Sequence, residues 1–149
     1  MLKSLFIKYD SQEIIDRINR LNPNSEYQWG KMNAAQMLTH AQRPFKVAFE
    51  ELKLKRGLIG ILFGGMVKKK LLGESPFSRN SPTAKHFLVH DSRDFETEKK
   101  NLISIIQRFE KSESSITKED HPFFGKMTPH EWDVLMWKHL DHHLRQFGV

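Results

Sequence analysis

Residues 128–148, TPHEWDVLMWKHLDHHLRQFG, open on a helix start and close on a helix stop. Thr128 followed three residues later by Glu131 is a capping box, and Pro129 stands at the first helical position, where its missing amide costs nothing. Trp132, Leu135, Met136, Leu140 and Phe147 then recur at the helical period, with His139 and His143 on the same inward side. Gly148 is placed to end the segment. A helix with one apolar stripe has to bury it, so the remainder of the chain must supply partner helices.

Three earlier segments do so. After Asp91, the residues Phe95, Leu102, Ile103, Ile106 and Phe109 keep the helical period, with Glu96, Glu98, Lys99 and Lys100 between them. Serines and charges over residues 111–120 break that helix. Asn33 with Gln36 forms a second cap signal, for a helix whose apolar face is Ala34, Met37, Leu38, Ala41, Phe45, Ala48 and Phe49. This helix is expected to reach Leu54, with a kink at Pro44, which removes one backbone donor. Asp10 and Glu13 look like a third capping pair, opening a helix that carries Ile14, Ile15 and Ile18 to Leu21. Between Arg56 and His90, GLIGILFGG mixes helix formers with helix breakers and SPFSRNSPT reads as loop, which predicts a crossover with one short helix. Four amphipathic helices without a convincing strand define an all-α four-helix bundle, one domain over residues 1–149.

Composition narrows the chemistry. The chain has 149 residues and no cysteine, so disulfides, thiolate metal sites and a cysteine nucleophile are excluded, and any metal must be held by nitrogen and oxygen. MLKSLFIKYDSQEIIDR reaches charged sequence too soon for a signal peptide, which makes a cytoplasmic location the default. The apolar run Leu58 to Val67, with three glycines inside it, is about half a bilayer span, so no membrane partner is expected. A net charge of +6 and a pI near 9.6 suit an anionic partner. The basic residues look scattered, however, and the one dense run, Lys68-Lys69-Lys70, reads as a solvated face. No RNA-binding or zinc-finger pattern accompanies them, so no specific nucleic acid is expected.

The histidines carry the chemical signal. His139 and His143, four apart on a helix, can share one divalent ion. Eight histidines in this length would give about 0.4 such pairs by chance, and His86 with His90 is a second one. Context separates them, because the later pair lies on a strongly capped helix and the earlier pair straddles a loop-to-helix junction. His40, the one histidine before residue 86, sits on the apolar side of its helix among Met37, Ala41 and Pro44. There it is either a core histidine bonded to a backbone carbonyl or a third ligand from a second helix. His142 is one step round from His143 and reads as a solvent or interface histidine. His121, in the turn before the last helix, is either a loop histidine without function or a substrate-side residue at the pocket mouth. Trp132 and Trp137 read as core. Any of Glu131, Asp133 and Asp141 is near enough in sequence to orient an imidazole.

The segment WGKMNAAQMLTHA, residues 29–41, and the tail HPFFGKMTPHEWDVLMWKHLDHHLRQFG resemble the DinB-like (YfiT-type) superfamily of bacterial four-helix metalloenzymes. The HP-F-G turn followed by HLDHHLRQFG looks most like a branch catalogued as a domain of unknown function. Residues 56–90 carry no part of the likeness. The resemblance implies an up-down-down-up bundle with a long crossover between the second and third helices. It also implies a ligand set at the helix-two histidine and at the first and last histidines of His-x-x-His-His-x-x-Gln, here His40, His139 and His143. Zinc is the default ion, with nickel, iron or manganese compatible with imidazole ligation. Related enzymes transfer low-molecular-weight thiols, so the expected activity is that of a metal-dependent thiol transferase or hydrolase acting on a small molecule. The alternative is a non-catalytic, stress-related metal- or ligand-binding bundle. A homodimer accords with the resemblance, although no exposed face in the sequence marks its interface.

Overall fold

Two of the three expected caps form as read. Asn33 accepts the amide of Gln36 at 2.9 Å while the Gln36 side chain accepts the amide of Asn33 at 3.0 Å, and Thr128 and Glu131 do the same at 3.1 and 2.8 Å. These caps open two of five helices in the computed structural model, which describes residues 3–149. The helices are α1 (Lys8–Asn19), α2 (Ala34–Ala48), α3 (Leu58–Leu71), α4 (Phe95–Glu110) and α5 (Pro129–Gln146). Among the described residues the protein is all-helical, with two 3₁₀ turns at Lys85–Phe87 and Glu113–Ser115 and one isolated bridge between His121 and Gly125. No helix among them is long and apolar enough to cross a membrane.

Helix α2 packs against α4 and α5, and α1 packs against the same two. Their stripes meet in one core where Ile14, Ile18, Met37, Leu38, Phe45, Leu102, Ile106, Phe109, Trp132, Met136 and Leu140 are almost wholly buried. Phe109 is its aromatic centre, stacked on Phe6 at 5.1 Å and edge-on to Phe45 and Phe49. At the α1–α5 contact Arg17 reaches Asp141 at 2.8 Å and the backbone oxygen of Val149 at 2.9 Å, which ties the end of α5 to α1.

Three expectations are corrected. Helix α1 begins at Lys8, before Asp10, because a turn from Ser4 to Ile7 feeds it: the Asp10 carboxylate accepts the amide of Ser4 at 3.0 Å, and Glu13 pairs with Lys3. Asp10 and Glu13 are therefore not a capping pair. Helix α2 ends at Ala48 and not at Leu54, since Glu50 takes a left-handed φ of 60° and the amides of Glu51 and Leu52 turn back to the carbonyl of Lys46. The acids beyond Phe49 find partners elsewhere, Glu50 in Thr117 and Glu51 in Arg108. The crossover helix is 14 residues long, longer than the short segment expected.

Helix α3 is attached by its glycines. A Cβ on Gly64 would lie 1.9 Å from the carbonyl oxygen of Phe123, and one on Gly60 would lie 3.0 Å from the Phe123 backbone. At its far end the ammonium of Lys138, on α5, donates to the carbonyls of Leu71 and Gly73. A Gly→Ala change inside a helix ordinarily stabilises it by about 1 kcal/mol. Gly64→Ala should do the reverse, because the clash is with backbone that cannot rotate away. Hydrogen–deuterium exchange over residues 58–71 should quicken at least about tenfold in this variant, whereas slower exchange would show that the helix is not held through Gly64.

Candidate metal centre

His40 projects from α2, and His139 and His143 project from successive turns of α5, so the contact between these two helices brings all three imidazoles together. One nitrogen from each lies within 4.8 Å of the other two. The Nε2 atoms of His40 and His139 are 3.1 Å apart, and the ring centroids are 4.6 to 5.0 Å from one another. Three nitrogens on one tetrahedral ion, each at about 2.0–2.1 Å, are separated by roughly 3.4 Å. The set could therefore hold a single ion, with the wider nitrogen spacings closing towards that value.

The outer nitrogens decide what faces inward. His40 Nδ1 lies 2.7 Å from the carbonyl oxygen of Phe87, which only accepts, so the proton is on Nδ1 and the lone pair is on Nε2. His143 Nδ1 lies 2.8 Å from Gln146 Oε1, and the amide nitrogen of the same glutamine donates to the carbonyl of Trp29. That second bond fixes which end of the Gln146 amide is oxygen, so His143 also carries its proton on Nδ1. Both rings thus turn an unprotonated Nε2 away from their outer partners, the arrangement that orients metal-binding imidazoles. His139 differs, since its Nδ1 is enclosed and has no hydrogen-bond partner among the described residues. With the ion absent, its proton belongs on Nε2, donated to His40.

Burial keeps the cluster uncharged. It pushes His143 down to about 3, holds His139 well below the ordinary imidazole value, and lowers His40 despite the opposing bond to Phe87. At neutral pH an ion would therefore meet no imidazolium here, and His139 alone would have to move its proton from Nε2 to Nδ1 to ligate through Nε2. Among the described residues no carboxylate joins the three histidines. Glu131 is committed to the cap and to Lys68, Asp133 to the amide of Leu5, and Asp141 to Arg17 and Arg145. The groups that orient the imidazoles are instead the Phe87 carbonyl and Gln146. The sequence expectation of Glu131, Asp133 or Asp141 misses both; the i+3 spacing of Gln146 from His143 is a signal for one, whereas a main-chain carbonyl leaves no mark in a sequence.

The remaining histidines divide. His86 and His90 do not join the cluster. His86 is exposed in the 3₁₀ turn, with its carbonyl accepting from Arg43, and His90 lines a neighbouring cavity. His142 is not a free solvent histidine but half-buried, edge-on to Trp29 at 5.7 Å and tilted against Phe77 at 5.9 Å. His121 is buried in the turn before α5, stacked on Phe124 at 4.4 Å. Its Nδ1 accepts the amides of Phe123 and Phe124 at 3.0 and 3.1 Å, so its proton is on Nε2. It shares a cavity of about 180 Å³ with the three clustered histidines, walled by apolar groups such as Phe77, Phe87 and Leu135. A larger and more polar cavity of about 590 Å³, reaching Trp29, Lys31, Gln36 and His90, adjoins it across His142 and His143.

The chain belongs to a family described as a protein of unknown function (DUF1569), whose model matches residues 2–148. No curated protein and no solved structure matches it. Family membership thus covers both histidine-bearing helices and the crossover between them.

The buried, uncharged His121 has a consequence for stability. Burial, with Arg56 nearby, lowers it to about 4, while an unfolded histidine titrates near 6.5. Between those values the unfolded chain binds more protons, so the stability contribution is complete above about pH 6.5 and is lost as the pH falls towards 4. Denaturant unfolding of the metal-free protein should give free energies that drop through this window. In His121→Gln the slope should be shallower by up to about one proton, and an unchanged slope would count against a neutral His121.

Proposed function

We propose that the protein binds one divalent metal ion through His40, His139 and His143 and acts as a metal-dependent enzyme on a small molecule, by thiol transfer or hydrolysis. The observation that carries this reading is the pinning of the His40 and His143 protons on carbonyl-type acceptors, which leaves Nε2 lone pairs on two helices facing one point. Hydrogen bonding alone has no use for three such nitrogens, since one proton can join only two of them. The same reading assigns the chain to the DinB-like superfamily with up-down-down-up order, supported by the long connection over residues 49–94 between α2 and α4.

Zinc by default, or nickel, iron or manganese, would keep its full charge on three neutral ligands and act as a Lewis acid, lowering the pKa of a water or thiol it binds. The chain's own groups do the rest. Arg17 and Arg145 engage Asp141 and Lys68 engages Glu131, so these carboxylates are already paired and the neutral histidine set stays receptive to an anionic group. Phe77, Phe87 and Leu135 exclude water from the smaller cavity and so strengthen electrostatic interactions inside it. His121, with its proton on Nε2, is placed to donate a hydrogen bond to a substrate oxygen in that cavity without carrying charge.

Metal content of protein purified without an affinity tag tests the site directly. About one ion per chain is expected in the wild type, and none in His40→Ala or His143→Ala. Gln146→Leu should weaken binding by about 10–100-fold, as loss of an orienting partner does. Absence of metal after reloading with zinc, nickel and manganese would remove the reading and leave His40 as a packed core residue. Chelation then separates catalysis from structure: loss of thiol-transfer or hydrolytic activity with a small fall in melting temperature marks an enzyme, whereas a large fall without any activity marks a structural site.

A further inference from the structure

Helix α3 presents its apolar side outward. Gly60, Gly64 and Leu71 fall on one stripe, at i, i+4 and i+11, and that narrow stripe meets the protein. Leu58, Ile59, Ile61, Leu62, Phe63 and Met66 occupy the opposite arc and are each more than half exposed. A helix that is apolar all round is normally buried, so a contiguous exposed face of this kind marks an interaction surface.

The charge around it says what covers it. Residues 52–73 contain six cations, Lys53, Lys55, Arg56, Lys68, Lys69 and Lys70, and no carboxylate. The other eighteen lysines and arginines are matched by eighteen carboxylates, so the whole formal excess of +6 belongs to this one segment. The basic residues are not scattered after all. Arg56 and Lys68 contact Asp120 and Glu131, whereas Lys53, Lys55, Lys69 and Lys70 are exposed and form no ion pair among the described residues. A second copy docked here by a two-fold axis would set these cations against one another. Nucleic acid would leave the aliphatic side chains without a partner. An anionic lipid surface satisfies both, taking the apolar side chains into the acyl boundary and the flanking ammonium groups at the headgroups.

We propose that α3 is a membrane-surface anchor that seats the protein on anionic lipid bilayers through Leu58–Met66 and the lysines at either end. The run is too short to span a bilayer, which is why it reads at first as having no membrane role, but lying in the interface needs no such length.

Vesicle flotation of the full chain tests this. Vesicles of phosphatidylcholine with about one-quarter phosphatidylglycerol should carry at least about tenfold more protein than phosphatidylcholine alone, and raising NaCl from roughly 50 to about 500 mM should remove most of the difference. The variants Leu62→Asp/Met66→Asp and Lys69→Gln/Lys70→Gln change only exposed side chains and should each lower binding about tenfold with unaltered circular dichroism and melting. Absence of binding to either vesicle would overturn the proposal, as would equal binding to both that neither variant reduces. A dimer in sedimentation analysis that Leu62→Asp/Met66→Asp dissociates, without vesicle binding, would overturn it too and assign the face to a second copy. None of these outcomes depends on the histidine site.

Discussion

An imidazole buried between helices has two nitrogens to satisfy, and the partners of the outer ones determine what the inner ones can do. Here the outer partners come from segments that the four-helix core does not need. Phe87 belongs to the crossover, and Trp29, which holds Gln146, belongs to the loop before α2. The cluster is therefore not just a product of α2 meeting α5. It is assembled by two connections that lie against those helices, and each contributes one carbonyl. A bundle with the same core and different loops would have three histidines but no fixed tautomers.

This division explains which parts of the molecule were legible. The four core helices were readable because burial of one face imposes a period, and the caps Asn33–Gln36 and Thr128–Glu131 mark starts by local chemistry. The misread boundaries lie where a distant partner overrides the local signal: Asp10 is taken by Ser4, and α2 stops once Glu50 and Glu51 bond to Thr117 and Arg108. The His139–His143 pair was legible in its spacing and apolar context, whereas the residues left His40 open between a core role and a ligand role, and only the family resemblance joined it to the pair. The orientation of the three rings was not legible, since it rests on main-chain carbonyls and on one glutamine whose role depends on the loop opposite.

Helix α3 fails the periodicity test for a related reason. Its glycines are spaced so that backbone packs on backbone at Pro122–Phe124, and the large side chains need no inward face. A hydrophobic pattern reports burial only when side chains make the contact. Where glycine makes it, the apolar residues are free to serve a surface, and the pattern loses its ordinary meaning. The helix is nonetheless coupled to the site, as Leu71 lines the smaller cavity and Lys138, which caps the helix, precedes His139.

The burial that lowers the histidine pKa values also bears on the choice between a proton and a metal ion. Low dielectric penalises any charge, so an imidazolium is disfavoured at each of the three rings. A divalent ion meets the same penalty, but it is offset by bonds to all three nitrogens at once, which a proton cannot form. With no carboxylate in the set, the ion's charge would remain to be balanced from outside, by an anionic group entering through one of the two cavities. Three neutral imidazoles would leave such an ion an open coordination position, which is what separates a catalytic arrangement from a closed structural one.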